Sequence, residues 1–267
     1  MHKSIHGKIL TIAGSDPSGG AGIQADIKTI AALGGYAMAA ITCLTVQNSL
    51  KVYDSHPVAA EIVSAQVRAV MEDMPPDVIK LGMLGTAEIV ESLAALLRQF
   101  PPVPLVVDPV ILSTSGHELL SPRGIDIMKQ DVFPLTTLLT PNLGEAAKLL
   151  DGPEITTVAE MKQAGEKLRA LGPESVLIKG GHLSADILTD VLVCSEGVFE
   201  YSSPAIETRH THGTGCTLAS AVATGLAQGK GVLTGVEQAR EYVQKAISAA
   251  PGFGAGNGPL NHSVFLD

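Results

Sequence analysis

What the chain has little of narrows its class before any motif is read. Among 267 residues there are 18 Lys and Arg against 27 Asp and Glu, a net charge of -9, and no Lys/Arg run exceeds two residues. The basic stripe that a nucleic acid or an anionic membrane requires is therefore missing, and the expected partner is a small molecule. Cys43, Cys194 and Cys216 are odd in number, scattered and without a CxxC pair, which argues against a disulfide framework and for a reducing cytoplasm. No uncharged apolar stretch reaches 18 residues and the first residues lack the apolar core of a secretory signal, so neither a spanning helix nor export is expected. Linkers, repeats and low-complexity segments are also lacking. With 45% hydrophobic residues, the length suits one large α/β domain, expected over residues 1–267.

What is there alternates. Short β-rich runs at Lys8 to Ala13, Ala37 to Thr45, Val78 to Leu81, Leu105 to Val107, Leu138 to Thr140 and Ser175 to Ile178 read as buried parallel strands. Amphipathic segments between and after them predict helices over Gln24 to Leu33, Ala87 to Gln99, Gly144 to Leu150, Val158 to Leu171 and Glu237 to Ala249. The pattern is βαβ winding over one mostly parallel sheet. Asp190 to Cys194 and Gly197 to Ser202 read instead as an antiparallel hairpin at its edge.

In such a sheet, ligands collect beyond the carboxyl ends of the strands, so the residues that follow each strand are the candidates for function. Thr211-His212-Gly213-Thr214-Gly215-Cys216-Thr217 is the most informative of these stretches. It predicts a helix N-terminus that holds an anion, because the first N–H groups of a helix lack internal partners and glycine lets a phosphate approach. A thiol placed there is expected to be acidified. Gly20 to Ala25 matches GxGxxA, but its first glycine follows the strand by seven residues and no acidic residue closes the second strand, so a dinucleotide fold is not expected. A Walker phosphate loop is absent, and His210, His212 and Cys216 lack a fourth zinc ligand.

Eight motifs in order give the chain a resemblance. They are Ala13-Gly14-Ser15-Asp16 with Ser18 to Asp26, Thr45-Val46-Gln47-Asn48, Lys80-Leu81-Gly82-Met83-Leu84, Val107-Asp108-Pro109-Val110, Thr140 to Glu145, Lys179-Gly180-Gly181-His182, His212 to Thr217 and Gly258-Pro259-Leu260-Asn261-His262. Over nearly its whole length the chain resembles the hydroxymethylpyrimidine and phosphomethylpyrimidine kinases of thiamine biosynthesis, within the ribokinase-like family. The resemblance implies a three-layer α/β/α fold with an edge hairpin and a homodimer. It also implies ATP-dependent phosphorylation of 4-amino-5-hydroxymethyl-2-methylpyrimidine, then of its phosphate.

Residue roles follow from that resemblance. The amides of Gly213, Thr214, Gly215 and Cys216 form the anion hole for the transferred phosphoryl group. Cys216 stands where the sugar kinases of the wider family lead one to expect an aspartate base, so it reads either as a catalytic thiol or as a small buried one. Gln47 reads the edge of the aminopyrimidine, while Met83 and Val110 contact the ring unless they are simply core. Gly14, Ala21 and Asp26 line the pocket, with Asp26 accepting from the hydroxymethyl group. On the nucleotide side Lys179, Asn142 and Asp108 are the expected ATP-binding residues, and Glu145 is the expected ligand of Mg²⁺. Ser203 to His212, polar and rich in His, Thr and Arg, is expected to close as a lid. A pyridoxal kinase, and a non-catalytic pyrimidine or ATP sensor, remain as alternatives.

Overall fold

The computed structural model describes residues 5–112, 118–181 and 186–265. In chain order the elements are β1 (Lys8–Ser15), α1 (Gly22–Ala32), β2 (Tyr36–Gln47), β3 (Val52–Pro57), α2 (Ala60–Asp73), β4 (Val78–Leu81), α3 (Ala87–Leu97), β5 (Leu105–Val107) and α4 (Pro122–Ile127). They continue with β6 (Leu138–Leu139), α5 (Leu143–Leu149), α6 (Val158–Arg169), β7 (Ser175–Ile178), β8 (Ile187–Cys194), β9 (Gly197–Pro204), α7 (Thr214–Ala227) and α8 (Val232–Ser248). The strands form one sheet in the order β3-β2-β1-β4-β5-β6-β7-β8-β9. Pairings from β2 through β7 are parallel, and those of β2 with β3, β7 with β8 and β8 with β9 are antiparallel. The six parallel strands and the β8–β9 hairpin are those the sequence predicts.

Side chains alternate across this sheet with the period of two that a strand imposes. Ile9, Val78, Val106, Leu138, Leu177 and Leu192 pack with Ile30 of α1, Leu218 of α7 and Val236 of α8. Leu10, Ile12, Ile79, Leu81, Val107, Val176 and Ile178 pack on the opposite face with Val67 of α2, Leu93 of α3, Ala146 of α5 and Met161 of α6. Each such Val, Leu, Ile or Met side chain contributes about 1.5–3 kcal/mol when fully buried. Because both faces are covered, the strands carry nearly continuous apolar runs. Lys80 interrupts one of those runs, on the face that α1 and α7 cover.

Strand β1 lies between β2 on one side and β4 on the other, so the winding reverses there. A reversal opens a crevice beyond the strand ends. The loop after β1, the end of β2, the turn after β4 and the start of α7 converge on it.

Candidate active site

The loop after β1 folds around one carboxylate. Asp16 accepts from Ser18 N at 2.8 Å, Ser18 Oγ at 2.7 Å, Gly20 N at 3.1 Å and Ala21 N at 2.9 Å, and it faces His212 Nε2 at 2.8 Å. Burial pushes the Asp16 carboxyl up, but the hydrogen bonds from His212 and Ser18 outweigh it and hold the pKa at about 2. The same loop brings Ala21 to the N-cap of α1. It also packs against the approach to α7, where a Cβ on Gly213 would collide with the Gly20 carbonyl. Gly213 caps α7 with φ +84°, a left-handed conformation that suits glycine.

Among the described residues, no side chain caps α7. The Thr214 N–H is turned to the Thr211 carbonyl at 3.2 Å, which removes it from the expected anion hole. Gly215 and Cys216 remain as the first-turn donors without helical partners. The opposite wall is the Lys179–Asp108 pair, 2.7 Å apart. A Cβ on Gly215 would stand 3.1 Å from Lys179 Nζ and 3.3 Å from Asp108 Oδ2, so only glycine leaves this cradle open.

Asp108 follows β5, and its Oδ1 takes both Lys179 Nζ and Thr140 Oγ1, the latter at 3.2 Å. Its Oδ2 faces Gly215. Asn142 and Lys179 follow neighbouring strands and form a parallel bridge. Asn142 and Glu145 make a capping box at the start of α5, with Glu145 N donating to Asn142 Oδ1 at 2.9 Å and Asn142 N to Glu145 Oε2 at 2.8 Å. Burial pushes Glu145 up to about 7 against the pull of Lys179, and the nearby Asp108 adds to the rise. For Lys179, burial acts downward, but Asp108 and Glu145 outweigh it and leave the ammonium raised. His182 of the Lys179 motif lies outside the described residues.

At the other end of the crevice, Gly14 abuts Met83, since a Cβ there would lie 3.4 Å from Met83 Sδ. Met83 and Val110 are half-buried rather than sealed in the core. Gln47 ends β2, with its amide 3.2 Å from His212 Nε2 and 3.4 Å from Thr45 Oγ1.

Three further expectations are corrected. Asp26 does not line the pocket: it is fully buried, and its oxygens are taken by Thr11 Oγ1 at 2.5 Å, Ser220 Oγ at 2.7 Å and Lys80 Nζ at 2.9 and 3.0 Å. Nor is Cys216 acidified. Burial pushes its thiol up to about 11, and the nearby Lys80 only partly opposes it. The ends of Ser203 to His212 are not free to close as a lid, because Ser203 and Pro204 belong to β9 and His212 is pinned by Asp16 and by its N–H to the Gly258 carbonyl at 3.1 Å.

Mg²⁺ needs few protein ligands, since it keeps water and bridges phosphates. Among the described residues no group of three or more His, Cys, Asp or Glu could hold a metal alone. Asp108 Oδ2 and the Glu145 carboxyl, both close enough to act on Lys179, are a donor set of the reduced kind that Mg²⁺ accepts.

Comparison with known proteins places the chain in a family. The family model described as phosphomethylpyrimidine kinase matches residues 16–261. The hydroxymethylpyrimidine/phosphomethylpyrimidine kinase of Streptomyces coelicolor is 44% identical over 97% of this chain and 95% of its own. The chain spans about half the length of the thiamine-biosynthetic bifunctional proteins that it also matches. Among solved structures, phosphomethylpyrimidine kinase of Clostridium difficile superposes with a TM-score of 0.79 at 40% identity, covering 90% of this chain and 99% of that one. An ADP complex of Bacillus subtilis pyridoxal kinase superposes with a TM-score of 0.89 at 36% identity, covering 98% and 99%. On the extent of these matches and the order of its strand-end motifs, the chain belongs to the phosphomethylpyrimidine kinase family.

Proposed function

We propose that this chain transfers the γ-phosphoryl group of ATP first to the hydroxyl of 4-amino-5-hydroxymethyl-2-methylpyrimidine and then to the resulting phosphate, giving the diphosphate for thiamine biosynthesis. The observation that carries the reading is the uncapped start of α7 facing Lys179 and Asp108 across Gly215. Phosphoryl transfer is accelerated mainly by positioning and by donors aimed at the charge that develops on the moving group. The N–H groups of Gly215 and Cys216 and the Lys179 ammonium supply those donors. Asp108 and Glu145, with Asn142 fixing Glu145, are the residues that would hold Mg²⁺, which neutralises phosphate charge when bound. Gln47 reads the ring edge, while Gly14, Ala21, Met83 and Val110 flank the ring. Asp26 acts from beneath, holding Lys80, β1 and α7 together.

The two transfers place different demands on Cys216. With a thiol near pKa 11, only about one molecule in 10⁴ carries the thiolate at pH 7, so base assistance to the alcohol is weak. The second acceptor is a phosphate monoester, already mostly dianionic because its second pKa is about 6, and it needs no base. Residues 1–267 act as one kinase domain in this reading, cytoplasmic and homodimeric, and light scattering tests the assembly. A reading as pyridoxal kinase draws on the Bacillus subtilis structural neighbour and is separated by acceptor preference. A binding-only sensor would have little use for an open Gly215 cradle. Phosphorus NMR of the products tests the proposal: a monoester signal followed by a diphosphate signal is expected, and a monoester that never converts would refute the second activity.

A further inference from the structure

His212 sits between the two halves of the crevice. Its Nε2 faces Asp16 Oδ2 at 2.8 Å and Gln47 Nε2 at 3.2 Å. The ring has little freedom: its backbone bridges to Pro259, and its Cδ2 lies against Gly20, where a Cβ would stand 2.5 Å away. An ionised carboxylate opposite Nε2 requires a hydrogen on that nitrogen, in the neutral or the charged ring alike. A nitrogen that carries a hydrogen cannot accept from an amide NH₂.

Thr45 makes the same demand from the other side. Its hydroxyl has one hydrogen, which it donates to the Ser15 carbonyl at 2.9 Å, so toward Gln47 at 3.4 Å it offers only lone pairs. The oxygen and nitrogen of a glutamine amide are told apart by their hydrogen-bond partners. The one hydrogen on His212 Nε2 goes to Asp16 and is at most shared with a Gln47 carbonyl oxygen, but an NH₂ in that place would meet a donor; with Thr45 offering only lone pairs, both partners favour the oxygen toward His212 and the NH₂ toward Thr45.

We propose that His212, fixed by Asp16, and Thr45, fixed by Ser15, are positioning residues that lock the Gln47 amide in this single orientation and thereby make the kinase specific for the 4-amino pyrimidine over its 4-oxo counterpart. The inference rests on the proposed function, in which Gln47 reads the ring edge. A 4-aminopyrimidine presents a ring-nitrogen acceptor beside an amine donor, whereas the 4-oxo tautomer presents an N–H donor beside a carbonyl acceptor. A freely turning amide serves both edges. A locked one offers its second N–H to the ring nitrogen and its second oxygen lone pair to the amine, and it meets the 4-oxo edge donor to donor and acceptor to acceptor. Unpaired buried polar groups of that kind are what give enzymes their strongest discrimination.

The test compares kcat/KM for 5-hydroxymethyl-2-methylpyrimidine bearing a 4-amino or a 4-oxo group, in wild type, His212→Leu, His212→Gln and Thr45→Val. In His212→Leu the amino/oxo ratio is expected to fall about tenfold or more, mainly through KM for the pyrimidine, with KM for ATP within about twofold. His212→Gln, which keeps an N–H for Asp16 and Gln47, should retain most of the ratio. Thr45→Val should lower it on its own and carries the test if the leucine variant does not fold. An unchanged ratio in a folded His212→Leu or Thr45→Val protein overturns the inference and leaves the proposed function standing. A wild-type protein that turns over neither pyrimidine overturns both.

Discussion

Two lysine–aspartate pairs flank the first turns of α7, and they differ in one respect. Lys80 and Asp26 are 2.9 Å apart with both side chains 0% exposed, and Thr11 and Ser220 complete the cage. Lys179 and Asp108 are 2.7 Å apart, but Lys179 is 15% exposed and the pair borders the Gly215 cradle. The first pair joins β1, α1, β4 and α7, its carboxylate is fully engaged, and burial closes it to a ligand. Among the described residues, the second has a carboxylate oxygen without a hydrogen bond, a second carboxyl in Glu145 and room for an anion. Pairing alone is thus no sign of function; the unspent bonding capacity next to open space is.

The comparison breaks most visibly at Lys80. Lys80→Met leaves Asp26 charged or forced to protonate in the interior, and the expected loss is about 3–5 kcal/mol, read as a large fall in the denaturant midpoint. The double variant with Asp26→Leu should recover much of it, because a buried pair exchanged for apolar groups is often neutral. Lys179→Ala should do the reverse, lowering kcat by about 10²–10³ while the midpoint falls far less than for Lys80→Met. Equal destabilisation by the two changes would erase the distinction between the pairs.

Cys216 sharpens it further. With the thiol pushed up to about 11, any thiolate assistance to the alcohol transfer grows about tenfold per pH unit between pH 7 and 9, whereas the phosphate transfer stays flat. Cys216→Ala should remove the slope and leave the second transfer nearly unchanged. Rates of both steps across that range decide it, and a slope that survives in the variant would contradict the role. The smallest effect is expected at Glu145. Burial raises its pKa to about 7, so the folded state binds the proton more tightly than the unfolded one. Its contribution to stability is therefore present below the ordinary carboxylate range and is lost as pH rises toward 7. Glu145→Gln keeps the capping acceptor and should flatten that part of the stability profile.

How much of this was legible in the sequence depended on whether the signal was local. The parallel strands were, because burial on both faces demands continuous apolar runs such as Leu105 to Val107. Strand β3 was not, since Asp54, Ser55, His56 and Pro57 look like a loop and the strand exists only by pairing with β2. Helix α2 did carry a signal, in Val63, Val67 and Met71 at helical spacing, all buried. The strand-end motifs come together at one end of the sheet, as their positions after the strands imply. They could not show that Asp26 is spent on Lys80, 54 positions away, or that enclosure outweighs the helix terminus at Cys216. His212 and Asp16 were motif members without roles, because their value lies in a proton count that needs coordinates.

The account's central claim is tested most directly by ADP release from the purified protein with Mg-ATP and, in parallel, hydroxymethylpyrimidine, its monophosphate or pyridoxal as the acceptor. Turnover of both pyrimidines, with pyridoxal well behind, is the predicted result; pyridoxal in the lead, or no release with any of the three, would contradict it.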